Sequence, residues 1–197
     1  MAADLPELIV LDRPAWRTWL AAHHSDAAGV WLVLAKKGIS QPTSLTYDQA
    51  LDEALCQGWI DGQLGRRDEA TYRQRFTPRR ARSRWSQSNV ERVERLGQGG
   101  RMLPAGKAAM ERSKADGTWE LAYAGQATVQ VPTDLAAALD SSPEAKAFFE
   151  VLSSQNRYAI LYRLGSARTA TTRTRRIEAF VTMLARGETL HPQRRAP

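Results

Sequence analysis

The sequence predicts an α+β protein in which a part with helices and strands is followed by an all-helical part. Two observations predict the first part: residues 30–35 form a β-branched and aromatic run, and residues 59–77 are rich in strand formers. A third predicts the second part, because apolar residues beyond position 132 recur at the three-to-four-residue spacing of a helix. We therefore expect the strands to lie in the first part alone.

Capping signals place the first two helices. Pro14 stands at a first-turn position ahead of Trp16, which predicts a short helix before the run at 30–35. Thr46 and Gln49 match a capping box and predict the start of a second helix. Gly58 follows as a left-handed cap and ends that helix. The first strand is therefore expected between two helices.

A β-hairpin is predicted after the second helix. Its strand-forming residues centre on Tyr72 and Phe76, and its turn is expected near Arg67-Asp68. Pro78 cannot donate a hydrogen bond to a sheet, so the second strand should end there. The two strands are joined closely enough to pair with each other in the antiparallel sense, and we expect the first part to contain a small antiparallel sheet.

Two further helices complete the first part. Ser88 and Glu91 match a capping box and Gly97 is a candidate stop, which predicts a helix over residues 89–96. A second helix is expected at Pro104–Ala115, ended by the Asp-Gly pair that follows it.

The composition changes at residues 123–131, which we interpret as a linker between a domain at 1–122 and a helical domain at 132–190. The helical domain is expected to have a small apolar core. Its four helical segments are predicted at 135–139, 144–152, 157–164 and 172–186. The core residues are predicted to be Phe148, Phe149, Leu152, Ile160, Leu161, Leu164, Ile177, Phe180 and Leu184.

Basic charge is concentrated in two runs. Residues 66–101 hold eleven arginines and four acids, a balance of +7 that equals the net charge of the whole chain. Residues 157–176 hold six arginines and no acid, whereas residues 1–65 carry four bases and eight acids. Two interpretations stay open: an anion-binding site, or a solvated basic face. We favour the first, because aromatic side chains that can stack are interleaved with the guanidinium groups.

The centre of the first run is the main candidate site. Alternation along an extended strand would place Arg80, Arg82 and Arg84 on one face and Arg79 opposite, so that the three guanidiniums repel unless an anion lies between them. A helix start follows them and also favours an anion. The predicted ligand- or nucleic-acid-binding residues are Trp59, Arg79, Arg80, Arg82, Arg84, Trp85 and Ser86, with a second patch at Arg173, Arg175 and Arg176.

Catalytic chemistry has one weak candidate, Asp61, in the segment Gly58-Trp59-Ile60-Asp61-Gly62. Asp61 could serve as a general base or orient an arginine, or it could be a turn residue in an ion pair. Trp59 could be a stacking wall or a core residue, and we favour the core. Whether the protein is an enzyme stays uncertain, and we lean towards a non-enzymatic protein.

Neither a metal nor a cofactor is expected. Asp48, Asp52 and Glu53 can share one helix face, for which a solvated face is favoured over a metal site. Cys56 is expected to be a small core residue, since the sequence places no histidine near it as a base. No Gly-rich phosphate-binding loop is present either.

Several short motifs of the chain belong together as a pattern. They are Trp16-x-x-Trp19-Leu20, Gly29-Val30-Trp31-Leu32, residues 54–62, Arg75-Phe76-Thr77-Pro78-Arg79, Ser83-Arg84-Trp85-Ser86 and Gly100-Arg101-Met102, followed by the helical segments from Val131-Pro132 onwards. In these motifs the chain resembles the YdeI/OmpD-associated family, also labelled bacteriocin-protection proteins. The resemblance implies an N-terminal domain similar to the YjbR/CyaY α+β fold, a helical C-terminal domain, and a role in stress or bacteriocin protection without an established catalytic activity.

The sequence leads us to expect a cytoplasmic, non-enzymatic protein that binds an anionic partner, foremost nucleic acid. The expected location depends on a lone cysteine, Cys56, on a start without a basic and apolar leader, and on the lack of a membrane-length apolar run. One alternative is an enzyme or sensor for a small phosphorylated or carboxylated metabolite in a Trp/Asp/Arg cleft. Another is a protein–protein interaction module that uses the helical domain.

Overall fold

The structure is a computed structural model, and it describes residues 5–126 and 128–193. These residues form two compact units that meet in the sequence between Ala122 and Tyr123. Together they contain a four-stranded sheet and eight helices, a mixed α+β composition as the sequence predicts.

The N-terminal unit contains the whole sheet. Its strand order is β1-β2-β4-β3, in which β1 runs parallel to β2 and the other neighbours are antiparallel. The prediction of an antiparallel sheet is therefore wrong at β1, a strand that the sequence analysis did not predict. The elements are β1 Glu7–Leu8, α1 Arg13–His23, β2 Val30–Ala35, α2 Tyr47–Cys56, β3 Trp59–Arg66, β4 Thr71–Pro78, α3 Gln87–Gln98 and α4 Pro104–Ala115.

Most of these elements begin and end where the local signals predict. Thr46 and Gln49 form the reciprocal capping box at the start of α2, and Gly58 follows that helix with a φ of +74°. β2 covers the predicted residues 30–35, and β4 ends at Pro78. The predicted hairpin is confirmed by the antiparallel pairing of β3 and β4.

Two predictions around α3 are wrong. The N-cap is Ser86 and not Ser88, because the Oγ of Ser86 accepts a hydrogen bond from the main-chain N–H of Asn89 at 3.2 Å. Gly97 lies inside the helix, which continues to Gln98 and is capped by Gly99. The real helix is therefore longer at both ends than the predicted range of 89–96.

The helices cover one face of the sheet. α1 packs against α2, and α2 packs against α3 and α4, so that their apolar faces enclose a core containing Trp16, Leu32 and Phe76. The approach of α4 to α2 depends on Gly106, since a Cβ there would lie 2.3 Å from the carbonyl oxygen of Cys56. Only glycine permits this close packing.

The second unit contains the remaining four helices: α5 Thr133–Asp140, α6 Pro143–Glu150, α7 Ser154–Gly165 and α8 Ala170–Ala185. All four predicted helical segments are confirmed. The predicted apolar residues pack into one cluster, to which Leu135 and Leu139 also contribute. Buried Asn156 joins α7 to the segment that follows α8, because its side-chain amide donates a hydrogen bond to the carbonyl of His191 and accepts one from the N–H of His191.

Candidate anion-binding cleft

The β3–β4 hairpin has two different faces. Cross-strand partners lie on the same face of a sheet, and the register pairs Ile60 with Thr77 and Asp61 with Phe76. Phe76 is fully buried in the core, so its face is the one that packs against the helices. Ile60, Thr77 and, by alternation, Arg75 belong to the opposite face.

A cleft of about 600 Å³ lies on that opposite face, where the hairpin meets the loop that follows β4. We call it the arginine cleft, because three of its lining side chains are arginines and none is acidic. It is lined by Ile60, Gly62, Gln63, Arg75, Thr77, Pro78, Arg80, Ala81, Arg82 and Ser83.

Arg79 anchors the loop that forms one wall of the cleft. Its main-chain N–H donates to the carbonyl of Gly58 at 2.9 Å, and its guanidinium lies 3.6 Å from the centre of the Trp85 ring. The same guanidinium donates to the carbonyls of Ser83 and Arg84 at 3.3 and 3.1 Å. Arg79 is 8% exposed, and a desolvated cation over an aromatic face is a strong form of this contact. It therefore holds both ends of the loop.

The loop is not the extended strand that the sequence predicts. The chain leaves the sheet after Pro78 and turns at Ala81 and Arg82, where Arg82 has a φ of +60°. Its main-chain N–H donates to Asp116 Oδ2 at 3.2 Å, which holds the turn in place. The prediction that Arg80, Arg82 and Arg84 share one strand face is therefore wrong, because strict alternation stops at the proline.

The three cleft arginines differ from Arg67, Arg73 and Arg92 of the same run, each of which pairs with a carboxylate. Within residues 5–126, Arg75, Arg80 and Arg82 form no ion pair with a carboxylate, and the Nε of Arg75 is buried without a hydrogen-bond partner. Elsewhere in the run, Arg67 and Arg73 lie within 2.9 and 3.9 Å of Glu7. Arg75 and Arg80 therefore bring positive charge to the cleft without a carboxylate at ion-pair distance, whereas the charge of Arg82 also acts on Asp116 and helps to lower the pKa of that carboxyl.

The other predicted site residues around the loop are buried in the fold or hold its elements together. Trp59 and Trp85 are each 1% exposed, and the indole N–H of Trp59 donates to the carbonyl of His24. Ser86 caps α3, and Arg84 is half-buried. Among the predicted residues, the structure brings Arg80 and Arg82 together in the cleft. The predicted roles of the others in binding stay predictions.

Asp61, the weak catalytic candidate, does not line the cleft. Its Oδ2 accepts a hydrogen bond of 2.8 Å from the hydroxyl of Tyr47 on α2. Burial, followed by the charge of Asp61, raises the pKa of the Tyr47 hydroxyl, so that this group stays protonated and keeps donating. The contact ties β3 to α2, on the face that packs against the helices.

Of Asp48, Asp52 and Glu53, only Asp48 is exposed, so the predicted solvated face is wrong for the other two. Glu53 is buried and accepts hydrogen bonds from Arg13, Arg17 and Arg101 at 2.6–2.9 Å. Asp52 pairs with Arg92, Arg95 and Arg101, while Asp48 pairs with Arg92. Five arginines thus surround three carboxylates. No group of side chains suited to a metal ion is found among the described residues.

The three arginines of the second predicted patch lie on α8, and two of them contact other residues of the helical unit. Arg173 pairs with Asp134 and donates to the carbonyl of Leu164, and Arg176 hydrogen-bonds the end of α7 through Ser166 Oγ at 2.9 Å. Arg175 is exposed. The first two arginines therefore join helices of the bundle, whereas Arg175 faces solvent.

The polar cleft residues Gln63, Arg75, Thr77 and Ser83 were not among the predicted binding residues. The sequence does contain a signal for Arg75 and Thr77. Strict alternation in β4, with Phe76 buried, places residues 75 and 77 on the opposite face of the sheet.

Cys56 is a core residue, as predicted: it is 2% exposed, and burial raises the pKa of its thiol to about 11. A thiol with such a pKa is not a nucleophile at neutral pH.

The fold and the cleft define a protein with an arginine-lined α+β unit and a four-helix unit. Residues 8–109 match the family described as "Domain of unknown function (DUF8412)", and because this is more than half of the chain, the protein belongs to that family. Residues 128–187 match the family described as "Bacteriocin-protection, YdeI or OmpD-Associated", which supports the resemblance predicted for the helical part. The YjbR/CyaY-like arrangement of the N-terminal unit stays a prediction.

No curated protein and no solved structure matches the chain. Among the described residues, no helix is long and apolar enough to cross a membrane.

Replacing Arg82 by glycine should leave the N-terminal unit as stable as the wild type or more stable by up to about 1 kcal/mol. The left-handed backbone costs an L-residue about 1–2 kcal/mol, and the freedom of glycine in the unfolded chain offsets about half of that gain. Thermal unfolding followed by tryptophan fluorescence measures the effect. Arg80→Gly is the matched control and should lower stability, because φ at Arg80 is not positive. A marked loss in Arg82→Gly would contradict this account of the turn.

Proposed function

We propose that the N-terminal unit binds an anionic partner in the arginine cleft, and that nucleic acid is the first partner class to test. The observation that carries this proposal is the grouping of Arg75, Arg80 and Arg82 around one cleft whose lining contains no carboxylate. Guanidinium groups around one cleft repel one another, and an anion between them attracts all of them.

The polar side chains between the arginines support the same proposal. Thr77 and Ser83 carry hydroxyls that can donate to an oxyanion, and Gln63 adds an amide. Arg79 and Trp85 hold the loop that carries Arg80 and Arg82, so the cleft is supported by buried contacts. A binding site formed in advance spends less of its interaction energy on ordering the loop.

The family match of the helical unit suggests the cellular setting. We propose that anion binding serves a protective role of the kind named in the description of that family. Survival of cells challenged with a bacteriocin is the measurement for this role, with the wild type compared with a variant that lacks Arg80 and Arg82.

The test of binding is fluorescence anisotropy with labelled single- and double-stranded DNA at about 50 and 200 mM salt. The double variant Arg80→Gln, Arg82→Gln should bind more weakly. Its slope of log affinity against log salt should fall by roughly one for each arginine that contacts a phosphate.

A second double variant, Arg66→Gln with Arg112→Gln, is the matched control. It removes the same charge at exposed positions outside the cleft. If both double variants lower the affinity equally, the attraction belongs to the basic surface in general and the cleft proposal fails. The cleft proposal also fails if the Arg80→Gln, Arg82→Gln variant binds DNA as tightly as the wild type.

A further inference from the structure

We infer that the arginine cleft prefers a phosphate monoester, such as the terminal phosphate of a nucleotide or of a phosphorylated strand, over the phosphodiesters of a nucleic-acid backbone. This inference rests on the anion-binding function proposed above and names the chemical group that the cleft would bind. A free nucleotide and a phosphorylated strand end share this group, and the experiment below separates them.

The first argument is charge matching. The cleft has three guanidinium groups and no acidic lining residue. A phosphate monoester carries a charge of about −1.5 to −2 at neutral pH and offers three terminal oxygens, whereas a diester carries a single charge. One monoester can therefore approach balance with Arg75, Arg80 and Arg82, while one diester leaves most of their charge unbalanced.

The second argument concerns the surroundings of the cleft. A protein that follows a nucleic-acid backbone needs cations repeated along the path of the strand. In this unit the neighbouring arginines are already paired: Arg67 and Arg73 with Glu7, and Arg92 with the carboxylates of α2. The available positive charge in the run is therefore focused on one concave place, which suits a single multiply charged group.

The third argument is the set of donors that line the cleft. The two terminal nitrogens of an arginine form a fork that matches two oxygens of a phosphate. Arg75, Arg80 and Arg82 each carry such a fork, and Thr77 and Ser83 add hydroxyls. Together these groups can donate to all three terminal oxygens of a monoester, whereas a diester has only two such oxygens.

The experiment compares two DNA strands of identical sequence, one with a 5′-phosphate and one with a 5′-hydroxyl, both labelled at the 3′ end. Anisotropy titrations of the full chain should give a dissociation constant at least roughly tenfold lower for the phosphorylated strand. Arg82→Gly should abolish this preference while keeping the thermal stability of the wild type. Arg66→Gln, the exposed control, should retain the preference.

Competition with adenosine 5′-monophosphate, with adenosine as its control, then separates the two sources of the group. Displacement of the phosphorylated strand by the nucleotide assigns the cleft to small phosphate monoesters. A preference for the phosphorylated strand that the nucleotide does not displace assigns it to strand ends.

Two results would overturn the inference, and they differ in what they mean for the proposed function. If both strands bind equally and the Arg80→Gln, Arg82→Gln variant still loses affinity, the cleft binds anions without preferring a monoester. If neither strand binds and the nucleotide does not bind in a direct titration, the proposed anion-binding function fails as well.

Discussion

Replacing Glu53 by glutamine is expected to destabilise the N-terminal unit by about 3 kcal/mol. Glu53 is 3% exposed, and its carboxylate accepts hydrogen bonds from three arginines. Removing one member of a buried ion pair costs about 3–5 kcal/mol, since the remaining charge stays desolvated and unpaired. We expect the low end of this range, because the arginine partners keep part of their contact with water.

The position of Glu53 explains why a large loss of stability is expected from replacing one carboxylate. Arg13 and Arg17 project from α1, whereas Arg101 follows α3 and also contacts Asp52. Glu53 on α2 therefore joins three separate parts of the unit. Glutamine keeps the shape of the side chain but removes the charge, so the three guanidiniums would repel one another around a neutral amide.

Urea unfolding followed by tryptophan fluorescence measures this loss, with Glu91→Gln as the matched control. All six tryptophans lie in the first 122 residues, so their emission reports the N-terminal unit alone. Glu91 is exposed on α3, and the same substitution there should change stability by less than about 0.5 kcal/mol. A change in Glu53→Gln as small as that of the control would show that the network does not stabilise the fold.

The contribution of Glu53 should also depend on pH. Burial by itself raises the pKa of the Glu53 carboxyl, but the hydrogen bonds and charges of Arg17 and Arg13 outweigh it, so the pKa falls below its ordinary value of 4.5. A lowered pKa in the folded state stabilises the fold above pH 4.5, and this part is lost as the pH falls through the folded pKa. The stability difference between wild type and Glu53→Gln should therefore shrink as the pH is lowered below about 4.5.

Local sequence signals predict the helices and strands well because each depends on neighbouring residues. The capping box of Thr46 and Gln49 and the stop at Pro78 are examples. The network around Glu53 could not be predicted in this way. Its hydrogen-bonded partners lie 36 to 48 positions away in the chain, and residue spacing does not reveal which helix faces meet.

The candidate site could be predicted only in part, because local patterns do not reveal which separated segments meet. The local density of arginine correctly draws attention to Arg80 and Arg82, both of which line the cleft. The assumed strand geometry failed, because Arg82 takes a left-handed conformation that is uncommon for a residue of its type. Alternation in β4 places Arg75 on the face that carries the cleft, but no local pattern shows that the loop after Pro78 brings Arg80 and Arg82 to the same place.

Replacing Trp85 by alanine is expected to cost about 4 kcal/mol of stability and to abolish anion binding. Trp85 is fully buried, and truncating a large buried aromatic residue costs about 3–5 kcal/mol. The same change removes the ring on which the Arg79 guanidinium lies and a T-shaped contact with Trp119 at 5.0 Å. Without that ring, Arg79 can no longer hold the carbonyls of Ser83 and Arg84 in place.

The control for Trp85→Ala is Trp85→Phe. Phenylalanine keeps an aromatic face for Arg79 and removes an indole N–H that is buried without a hydrogen-bond partner among the described residues. The space left by the smaller phenylalanine ring lowers stability, whereas removal of the unpaired buried N–H raises it. The loss of stability should therefore stay below about 1.5 kcal/mol, and anion binding should be retained.

Urea unfolding and the anisotropy titration together separate the two roles of Trp85. Both variants are measured under conditions in which the alanine variant is still folded, judged by the emission of the remaining five tryptophans. Loss of binding in a folded Trp85→Ala, with binding kept in Trp85→Phe, would mean that the aromatic support of Arg79 positions the cleft. Equal binding in both would mean that Arg80 and Arg82 reach the anion from an unsupported loop, and the cleft would then be no more than a basic segment of the surface.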